Sequence, residues 1–455
     1  MFYPEAIQFL YGLRSFGAKF GLENTLQLAA LAGNPQDRLR FIHVAGTNGK
    51  GSTCAMLESI YRATGLRVGL FTSPHLVSFR ERIQVNRQLI PETEVIRLVG
   101  ELQPLLKHFP DGHHPTFFEV VTVMALMFFA EQKCDLVIWE TGLGGRLDAT
   151  NIITPLASVI TNIQLDHQQW LGDTLAQIAA EKAGIIKSGV PVLTTAEEPE
   201  ALDVIEKVAR AKNALLTTIA AEGHSAVHNF AALFRDAAQP PLAGEHQKLN
   251  AALALATIQT LQEKIPVSGA QIRTGLAVVE WPGRLQLVTL KSGQKILLDG
   301  AHNPAGAKAL RAALEAAPAA GPASRDNNLK RAGPEAGAPI TLILGVLRDK
   351  DWRHICETLA PLAARIFAVP VSSERSANAE ELAEACRKAN PSGKVIASHS
   401  LGKALDQSAG DGLVIITGSL YLVGEALERL GLSPAGSEER GLNEWAGTPS
   451  VPLAG

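Results

Sequence analysis

Residues 41–53 read FIHVAGTNGKGST, an apolar run that leads directly into a glycine-rich turn. Phe41, Ile42 and Val44 suit a buried strand, and a helical pattern begins at Ser52. A strand, a glycine turn and a helix present bare backbone N–H groups and a positive helix dipole to an anion. The segment therefore predicts an α/β fold with a phosphate-binding loop at the end of this strand.

The side chains of the loop suit a nucleoside triphosphate. Lys50 can reach terminal phosphates, and Ser52 or Thr53 can lie beside a magnesium ion. The spacing G-x-x-G-K-G-S is shorter than the general G-x-x-x-x-G-K-[ST] pattern, so that pattern is only partly met. The alternative is a tight turn with a solvated lysine. Because a strand precedes the turn and a helix follows it, we interpret the segment as an ATP site.

Composition limits the class of protein. A chain of 455 residues predicts two domains, and 46% hydrophobic with 19% charged residues is typical of globular proteins. A net charge of −3 argues against a nucleic-acid surface. Four cysteines without C-x-x-C spacing predict buried thiols in a reducing compartment. With no basic leader and an apolar run of only residues 120–130, we expect a cytoplasmic protein that binds no membrane.

Strand-like and helical patterns alternate along the chain, which predicts a mainly parallel sheet with helices on both faces, followed by a second, smaller α/β domain. We place the boundary at Trp281-Pro282-Gly283, which gives domains 1–282 and 283–432. Residues 316–339 and the tail 433–455 lack periodicity and are predicted to be a mobile insertion and a mobile tail. The first-domain strands are predicted at 41–45, 68–72, 136–140, 157–162 and 190–194, and the second-domain strands at 296–299, 340–345, 366–371, 395–398 and 413–417.

Several polar residues follow predicted strands, at the edge where ligands bind in parallel sheets. Glu140 is either a magnesium ligand or a loop-capping acid, and His167, beside Asp166, reads on its own as a hydrogen-bonded loop histidine. Lys182 reads on its own as a solvated helix lysine, although CO₂ could convert it to a carbamate. Arg284 is either a contact to the triphosphate or half of a structural ion pair.

These segments together resemble the folylpolyglutamate synthase and dihydrofolate synthase family, a branch of the Mur-type ATP-dependent amide ligases. The resemblance covers roughly residues 17–430 and rests on strings that occur in the family's order. GLGGRLDATN and TSPHL are specific to this branch. The strings are GTNGKGST, FTSPHLVSFRERI, TFFE, WETGLGGRLDATN, ITNIQLDH, EKAGIIK, GEHQKLNAALA, WPGR, DGAHNP, ILGVLRDKD and TGSLYLVGE.

The resemblance implies a P-loop ATPase domain of the Mur ligase type and a smaller Rossmann-like C-terminal domain, with ATP bound between them. It implies ATP contacts from Thr47, Asn48, Gly49, Lys50, Gly51, Ser52, Asn250, Arg284 and Asp299. The implied folate-binding residues are Gly17, Ala18, Lys19, Phe20, Thr116, Phe117, Phe118, Glu119, Leu147, Asp148 and Ala149. The implied magnesium ligands, for two ions, are Ser73, Glu140 and His167, and the catalytic residues are Lys50, Lys182 and His302. Lys182 matches the family's carbamylated lysine.

The activity implied is the ATP-dependent ligation of L-glutamate to dihydropteroate, to tetrahydrofolate, or to both, by a monomer. A cell-wall precursor ligase of the Mur type is the nearest alternative, although GLGGRLDATN and TSPHLVSF favour folate. A P-loop kinase or nucleotide switch would not need the second lobe that carries DGAHNP. A non-catalytic folate-binding protein would have no reason to keep Lys50, Glu140 and His167 together.

Overall fold

The computed structural model describes residues 1–17, 21–110, 112–219, 242–316, 339–433 and 437–443. Within these ranges the chain forms two sheets, and we call the part of the chain built on each sheet a lobe. The N-terminal lobe contains strands β1 Phe41–Ala45, β2 Val68–Phe71, β3 Ile83–Val85, β4 Gln88–Leu89, β5 Leu136–Glu140, β6 Ala157–Ile160, β7 Val192–Thr194 and β8 Leu216–Thr218. Its helices are α1 Tyr3–Gly12, α2 Glu23–Leu31, α3 Lys50–Arg62, α4 Glu92–Leu106, α5 Phe117–Glu131, α6 Gln168–Leu171, α7 Leu175–Ala183, α8 Pro199–Ala211, α9 Glu245–Thr260 and α10 Gly269–Ala277.

The C-terminal lobe follows the same alternation. Its strands are β9 Gln286–Thr289, β10 Lys295–Leu298, β11 Ile340–Leu344, β12 Arg365–Ala368, β13 Lys394–Ala397 and β14 Leu413–Thr417. Its helices are α11 Pro304–Glu315, α12 Trp352–Leu359, α13 Ala379–Ala389, α14 Leu401–Gln407 and α15 Leu420–Arg429. The boundary that we predict at 282 falls in the connection between α10 and β9.

Both sheets are mainly parallel, as the alternating pattern predicts. The N-terminal sheet has the order β4-β3-β2-β5-β1-β6-β7-β8, in which β3 is antiparallel to both of its neighbours, β2 and β4. The C-terminal sheet has the order β13-β12-β11-β14-β10-β9, and only β9 runs against its neighbour. Strand β1 is central, so the glycine-rich turn that follows it opens at the carboxyl edge of the sheet, between the turns after β5 and β6.

The central strands of the N-terminal sheet are buried on both faces. Along β1, Phe41 packs into the cluster formed with α1, α2, α4 and α5, whereas Ile42 and Val44 pack with α3, α9 and α10. Helix α5 is almost wholly buried. Its N-terminus is fixed by a capping box in which Thr116 and Glu119 bond to each other's backbone N–H. None of the helices described here has the length and apolarity needed to cross a bilayer.

Two local expectations differ from the structure. The helical pattern at 175–187 ends at Ala183, because Gly184 packs so closely on Arg146 that a Cβ there would lie 2.3 Å from the Arg146 Cβ. The chain therefore turns at Gly184, before its next apolar residues. Within the predicted mobile tail, Ser437–Asn443 form a 3₁₀ helix that packs on α1 and α15. The remainder of the tail beyond 433, and residues 317–338 of the predicted insertion, lie outside the described residues.

Candidate active site

A cavity of about 400 Å³ lies between the two lobes and gathers the predicted site residues. Those that line it are Gly17, Thr47, Asn48, Gly49, Lys50, Gly51, Ser52, Ser73, Thr116, Phe117, Phe118, Glu119, Glu140, Leu147, Asp148, Ala149, His167, Lys182, Asn250, Arg284, Asp299 and His302. The predicted folate-binding residues Ala18, Lys19 and Phe20 fall outside the described part of the chain. Residues separated by up to 285 positions in sequence therefore share one cleft, because both lobes place the carboxyl ends of their strands there.

The glycine-rich loop is held by the turn after β6. The backbone N–H of Thr47 donates to the carbonyl of Asn162 at 2.9 Å, and that of Asn48 donates to the Asn162 side chain at 2.8 Å. Gly49 adopts φ +88°, a left-handed conformation that other residues adopt at a cost, and α3 begins at Lys50. The N-terminus of α3 thus opens into the cavity.

Helix α9 covers the other side of the loop. A Cβ on Gly49 would lie 2.3 Å from Oδ1 of Asn250, so only glycine fits beneath that side chain. Asn250 donates to Gln247 at 3.0 Å, and Gln247 in turn donates to the Ser52 hydroxyl at 3.2 Å. This chain of side-chain amides fixes the loop from above.

Two lysines converge on the same loop carbonyl. Lys50 Nζ donates to the carbonyl of Gly46 at 3.1 Å, and Lys182 Nζ donates to it at 2.8 Å. Burial, followed by the nearby Lys50 ammonium, lowers the pKa of Lys182 to about 7. Lys182 is therefore not the solvated helix lysine that its local sequence suggests, and near neutral pH much of its amine is uncharged.

Glu140 ends β5 on the same wall, where the backbone N–H of Ser73 donates to its carboxylate at 3.0 Å. Burial raises the pKa of Glu140 to about 7, although Lys50 offsets part of that cost. A buried carboxylate beside a serine hydroxyl fits Mg²⁺, which usually takes one or two carboxylates and completes its shell with water and phosphate oxygens. Among the described residues no three His, Cys, Asp or Glu side chains form a ready-made metal cluster.

His167 belongs to a cluster between the lobes, which we define as Asp166, His167, His302, Asn303 and Lys350. The Lys350 ammonium bonds to the Asp166 carboxylate at 2.6 Å and lies 3.3 Å from Nε2 of His167. Asn303 donates to the same carboxylate at 3.1 Å. Burial would raise the pKa of Asp166, but His167, Lys350 and His302 bring it well below its usual range.

The C-terminal lobe presents its residues from the turn after β10. The Asp299 carboxylate accepts hydrogen bonds from the backbone N–H groups of Leu285 and Ala301, each at 2.9 Å. His302 Nδ1 bonds to the carbonyl of Gly300 at 2.7 Å, and burial, followed by Lys350, lowers the pKa of His302 to about 4. These bonds fix the turn, and Arg284 beside it lines the same cavity as the glycine-rich loop.

Some cavity residues were not among the predicted site residues. Lys350 and Arg82 lie within strings that carry the resemblance, so their position there was the available signal. Asn303, in DGAHNP, exchanges side-chain hydrogen bonds with Asn48 and so links the two lobes. Leu442 and Asn443 come from the tail, and nothing in their local sequence indicates that they line the cleft.

Comparison with known proteins agrees with this architecture. Residues 44–258 match the Mur ligase middle domain, and residues 283–420 match the Mur ligase glutamate ligase domain. The Bacillus subtilis dihydrofolate synthase/folylpolyglutamate synthase is 34% identical over 452 residues, which cover 94% of this chain and 99% of that protein.

Solved structures are similar over the same length. The Escherichia coli FolC structure, in complex with DHPP and ADP, superposes with a TM-score of 0.79 at 31% identity and covers 95% of this chain and 98% of that one. The structure of Mycobacterium tuberculosis folylpolyglutamate synthase, complexed with ADP and AMPPCP, superposes with a TM-score of 0.78 at 30% identity. It covers 91% of this chain and 96% of that one. This chain therefore belongs to the Mur ligase family, in the branch of the folylpolyglutamate and dihydrofolate synthases.

Proposed function

We propose that the protein is a bifunctional ATP-dependent ligase that adds L-glutamate to dihydropteroate and to tetrahydrofolate and its polyglutamates. The observation that carries this proposal is the single cleft. In that cleft the glycine-rich loop and Lys50 face Arg284, Asp299 and His302 from the other lobe. A ligase needs this arrangement because its nucleotide, acid and amine must meet where water is excluded.

The reaction proceeds in two steps. The carboxylate of the folate substrate attacks the γ-phosphorus of ATP, which forms an acyl phosphate and breaks the bond to ADP. The amine of glutamate then attacks the acyl carbon, forms the amide, loses a proton and expels phosphate. Lys50, which among the described residues bonds to the loop carbonyls of Gly46 and Thr47, turns to the γ-phosphate, and Arg284 approaches it from the opposite lobe.

Bound magnesium would neutralise charge on the phosphates and polarise the bond that breaks. Glu140 and Ser73 supply the oxygen ligands that fit it, and His167 is the third ligand that we propose. His167 is at present beside the Lys350 ammonium, so binding the metal requires that side chain or Lys350 to move.

We further propose that Lys182 is carbamylated. Because the pKa of Lys182 is about 7, its neutral amine is available to attack CO₂ and form N–C bonded carbamate with release of one proton. The new carboxylate would offset the positive charge of Lys50 close by. Protein equilibrated with ¹³C-bicarbonate should show one carbamate carbon resonance that Lys182→Met lacks, and its absence from wild-type protein at neutral pH would refute the modification.

An ADP-release assay tests the function, with dihydropteroate and tetrahydrofolate offered separately, each with and without glutamate. We expect release that requires both a folate acid and glutamate. Lys50→Ala should lower kcat about 10²- to 10³-fold, the usual cost of losing one charge-stabilising group. Lys207→Ala, which removes an exposed lysine of α8 that does not line the cleft, is the matched control.

Three outcomes would contradict the proposal. Glutamate-independent release would indicate a kinase or nucleotide switch. Release with UDP-muramyl substrates alone would indicate a cell-wall ligase. Full turnover by Lys50→Ala would remove the loop from the reaction.

A further inference from the structure

Arg82 is a buried cation whose charge is not paired in the ligand-free protein. Its side chain is 3% exposed, lines the cavity and lies with its guanidinium 5.4 Å from the centre of the Phe117 ring. No carboxylate of the described residues lies within ion-pair distance of it. The adjacent Glu81 accepts instead from three backbone N–H groups, at 2.7 to 2.9 Å. Glu81 and Glu140 favour its charge only from beyond ion-pair distance. Burying a guanidinium without a contacting anion is costly, so an anion from outside the chain would complete this site.

Two neighbours hold the guanidinium along one edge. Arg82 Nε donates to Nδ1 of His75 at 2.9 Å, and Nη2 donates to Oδ1 of Asn443. None of the described residues accepts a hydrogen bond from Nη1. The edge between Nη1 and Nη2 therefore keeps parallel N–H donors in the planar arrangement that matches the two oxygens of a carboxylate.

Asn443 reaches Arg82 because the 3₁₀ helix Ser437–Asn443 is fastened to the N-terminal lobe. The Glu439 carboxylate accepts from the Ser78 hydroxyl at 2.9 Å, from the Phe79 backbone N–H at 2.6 Å and from the Tyr3 hydroxyl at 3.1 Å. Asn443 also donates to the carbonyl of His75 at 2.9 Å. The tail therefore fixes both residues that hold the guanidinium.

The position of Arg82 narrows the choice of anion. It lies beside Phe117, which the family resemblance assigns to the folate substrate, whereas the residues assigned to phosphates lie around Lys50. A guanidinium that donates hydrogen bonds to both oxygens of the reacting carboxylate would withdraw the electron density needed for attack on phosphorus. Bidentate hydrogen bonding by Arg82 therefore suits a carboxylate that does not react. Glutamyl folates carry such a group, the α-carboxylate of their terminal glutamate, whereas dihydropteroate has only the carboxylate that reacts.

We propose that Arg82 binds the non-reacting α-carboxylate of glutamyl folates, and that Ser437–Asn443 positions it through Asn443. This proposal rests on the proposed function and deepens it. It makes Arg82 a residue that selects for the chain-extending substrate and leaves the first glutamate addition largely untouched. It also gives the tail a role in substrate recognition.

Binding measurements with a matched ligand pair test this proposal. Titration calorimetry would compare tetrahydrofolate with its α-carboxamide analogue on wild-type protein and on Arg82→Gln. Wild-type protein should bind tetrahydrofolate roughly 10- to 100-fold more tightly than the amide, the value of charge-assisted hydrogen bonds. Arg82→Gln should bind both ligands alike. A preference for the carboxylate that survives in Arg82→Gln would overturn the proposal.

Two further variants separate positioning from folding. Arg80→Gln alters the neighbouring arginine, which bonds to the Ile90 carbonyl and to Glu92 at the surface, and should keep the wild-type preference. Asn443→Ala keeps the Arg82 charge but removes one of the two side chains that hold the guanidinium in place. The preference for tetrahydrofolate over its amide should therefore fall several-fold. KM for tetrahydrofolate should rise while kcat stays near wild type. If Arg82→Gln does not fold, the Asn443→Ala result decides, and an unchanged preference there refutes the positioning role.

The outcomes also separate this inference from the proposed function. Wild-type protein that binds neither ligand would overturn both. Wild-type protein that binds both ligands equally, while it still ligates glutamate to dihydropteroate and tetrahydrofolate, would overturn the Arg82 assignment alone.

Discussion

The two sides of the cleft treat buried charge in opposite ways. On the loop side, burial moves the pKa values of Glu140 and Lys182 to about 7 from opposite directions, because neither has an ion-pair partner among the described residues. Between the lobes, Lys350 and two histidines hold the pKa of Asp166 below its usual range. On the loop side, Glu140 and Lys182 thus have no ion-pair partner among the described residues until a ligand binds. The Asp166 carboxylate, in contrast, already has the Lys350 ammonium as its partner.

This difference separates the groups that respond to a bound ligand from the groups that hold the two lobes together. Groups whose pKa values lie near 7 without a ligand respond to the charge of a bound nucleotide or metal, which is typical of functional sites. A paired cluster that spans two lobes instead holds them in register, since its attraction exists before any ligand binds. The loop side is accordingly expected to affect chemistry, and the Asp166–Lys350 pair to affect how the lobes are joined.

The sharpest test of the paired side is the Asp166–Lys350 bond. Lys350→Met leaves a buried carboxylate without its ammonium and should lower the free energy of unfolding by about 3 kcal/mol or more. Urea titration of Lys350→Met, Asp166→Asn and the double variant measures the coupling between the two residues. The exposed pair Lys207–Asp203 has the same 2.6 Å separation and should show coupling of only about 0.5 kcal/mol. Equal coupling in both pairs would contradict the distinction between the two sides of the cleft.

The strand beneath the loop provides a second test, through pH. His43 is fully buried beside the Thr150 hydroxyl, and burial, followed by Lys187, lowers its pKa to about 3. The unfolded chain therefore binds a proton between about pH 6.5 and 3 that the native protein does not. Stability should fall with decreasing pH in that window by up to about 1.4 kcal/mol per unit.

His43→Gln should make this acid limb shallower by the one proton that His43 contributes, as urea midpoints at pH 7 and 4.5 would show. His302, whose pKa is lowered to about 4, keeps part of the slope. The exposed His399→Gln is the matched control and should leave the limb unchanged. Identical pH dependence in His43→Gln and wild-type protein would mean that His43 does not carry the effect.

The smallest expected effect concerns the shape of the loop. Gly49 and Gly65 have almost the same φ, +88° and +90°, but only Gly49 lies beneath another residue, Asn250. Each substitution to alanine should cost about 1–2 kcal/mol for the left-handed backbone. Gly49→Ala should in addition weaken ADP binding, measured by calorimetry, because Asn250 must move. If both variants bind ADP like wild-type protein, the contact between Asn250 and the loop has no role in nucleotide binding.

The agreement between sequence and structure is best where local pattern and burial coincide. Strands β1, β5 and β14 have the predicted bounds, because each is a short apolar run that ends at a polar residue or a glycine turn. Helix α7 ends earlier than its pattern indicates, because Gly184 packs closely on Arg146, which belongs to the turn after β5. The edge hairpin β3–β4 was not predicted, because its strands are three and two residues long. Strands that short carry no periodic signal.

The candidate site, too, was predicted in part from sequence and in part only by the structure. Lys50, Glu140 and Lys182 were identified as candidates from motifs, and the structure adds that burial moves the pKa values of the last two to about 7. Local sequence suggested a solvated Lys182 because a helix pattern does not reveal which face another loop covers. Asn443 could not be predicted at all, since its partners His75 and Arg82 lie more than 360 residues away.

The amino-acid sequence by itself determined the alternating strands and helices, the glycine-rich turn, and the types of side chain that stand at the ends of the strands. These features depend on periodicity and on residues adjacent in the chain. Only the tertiary structure decided which charges are paired, which are left for a ligand, and that the tail holds Arg82. Those outcomes depend on burial and on distances between segments far apart in sequence, and the free energy of a buried charge is set by what surrounds it.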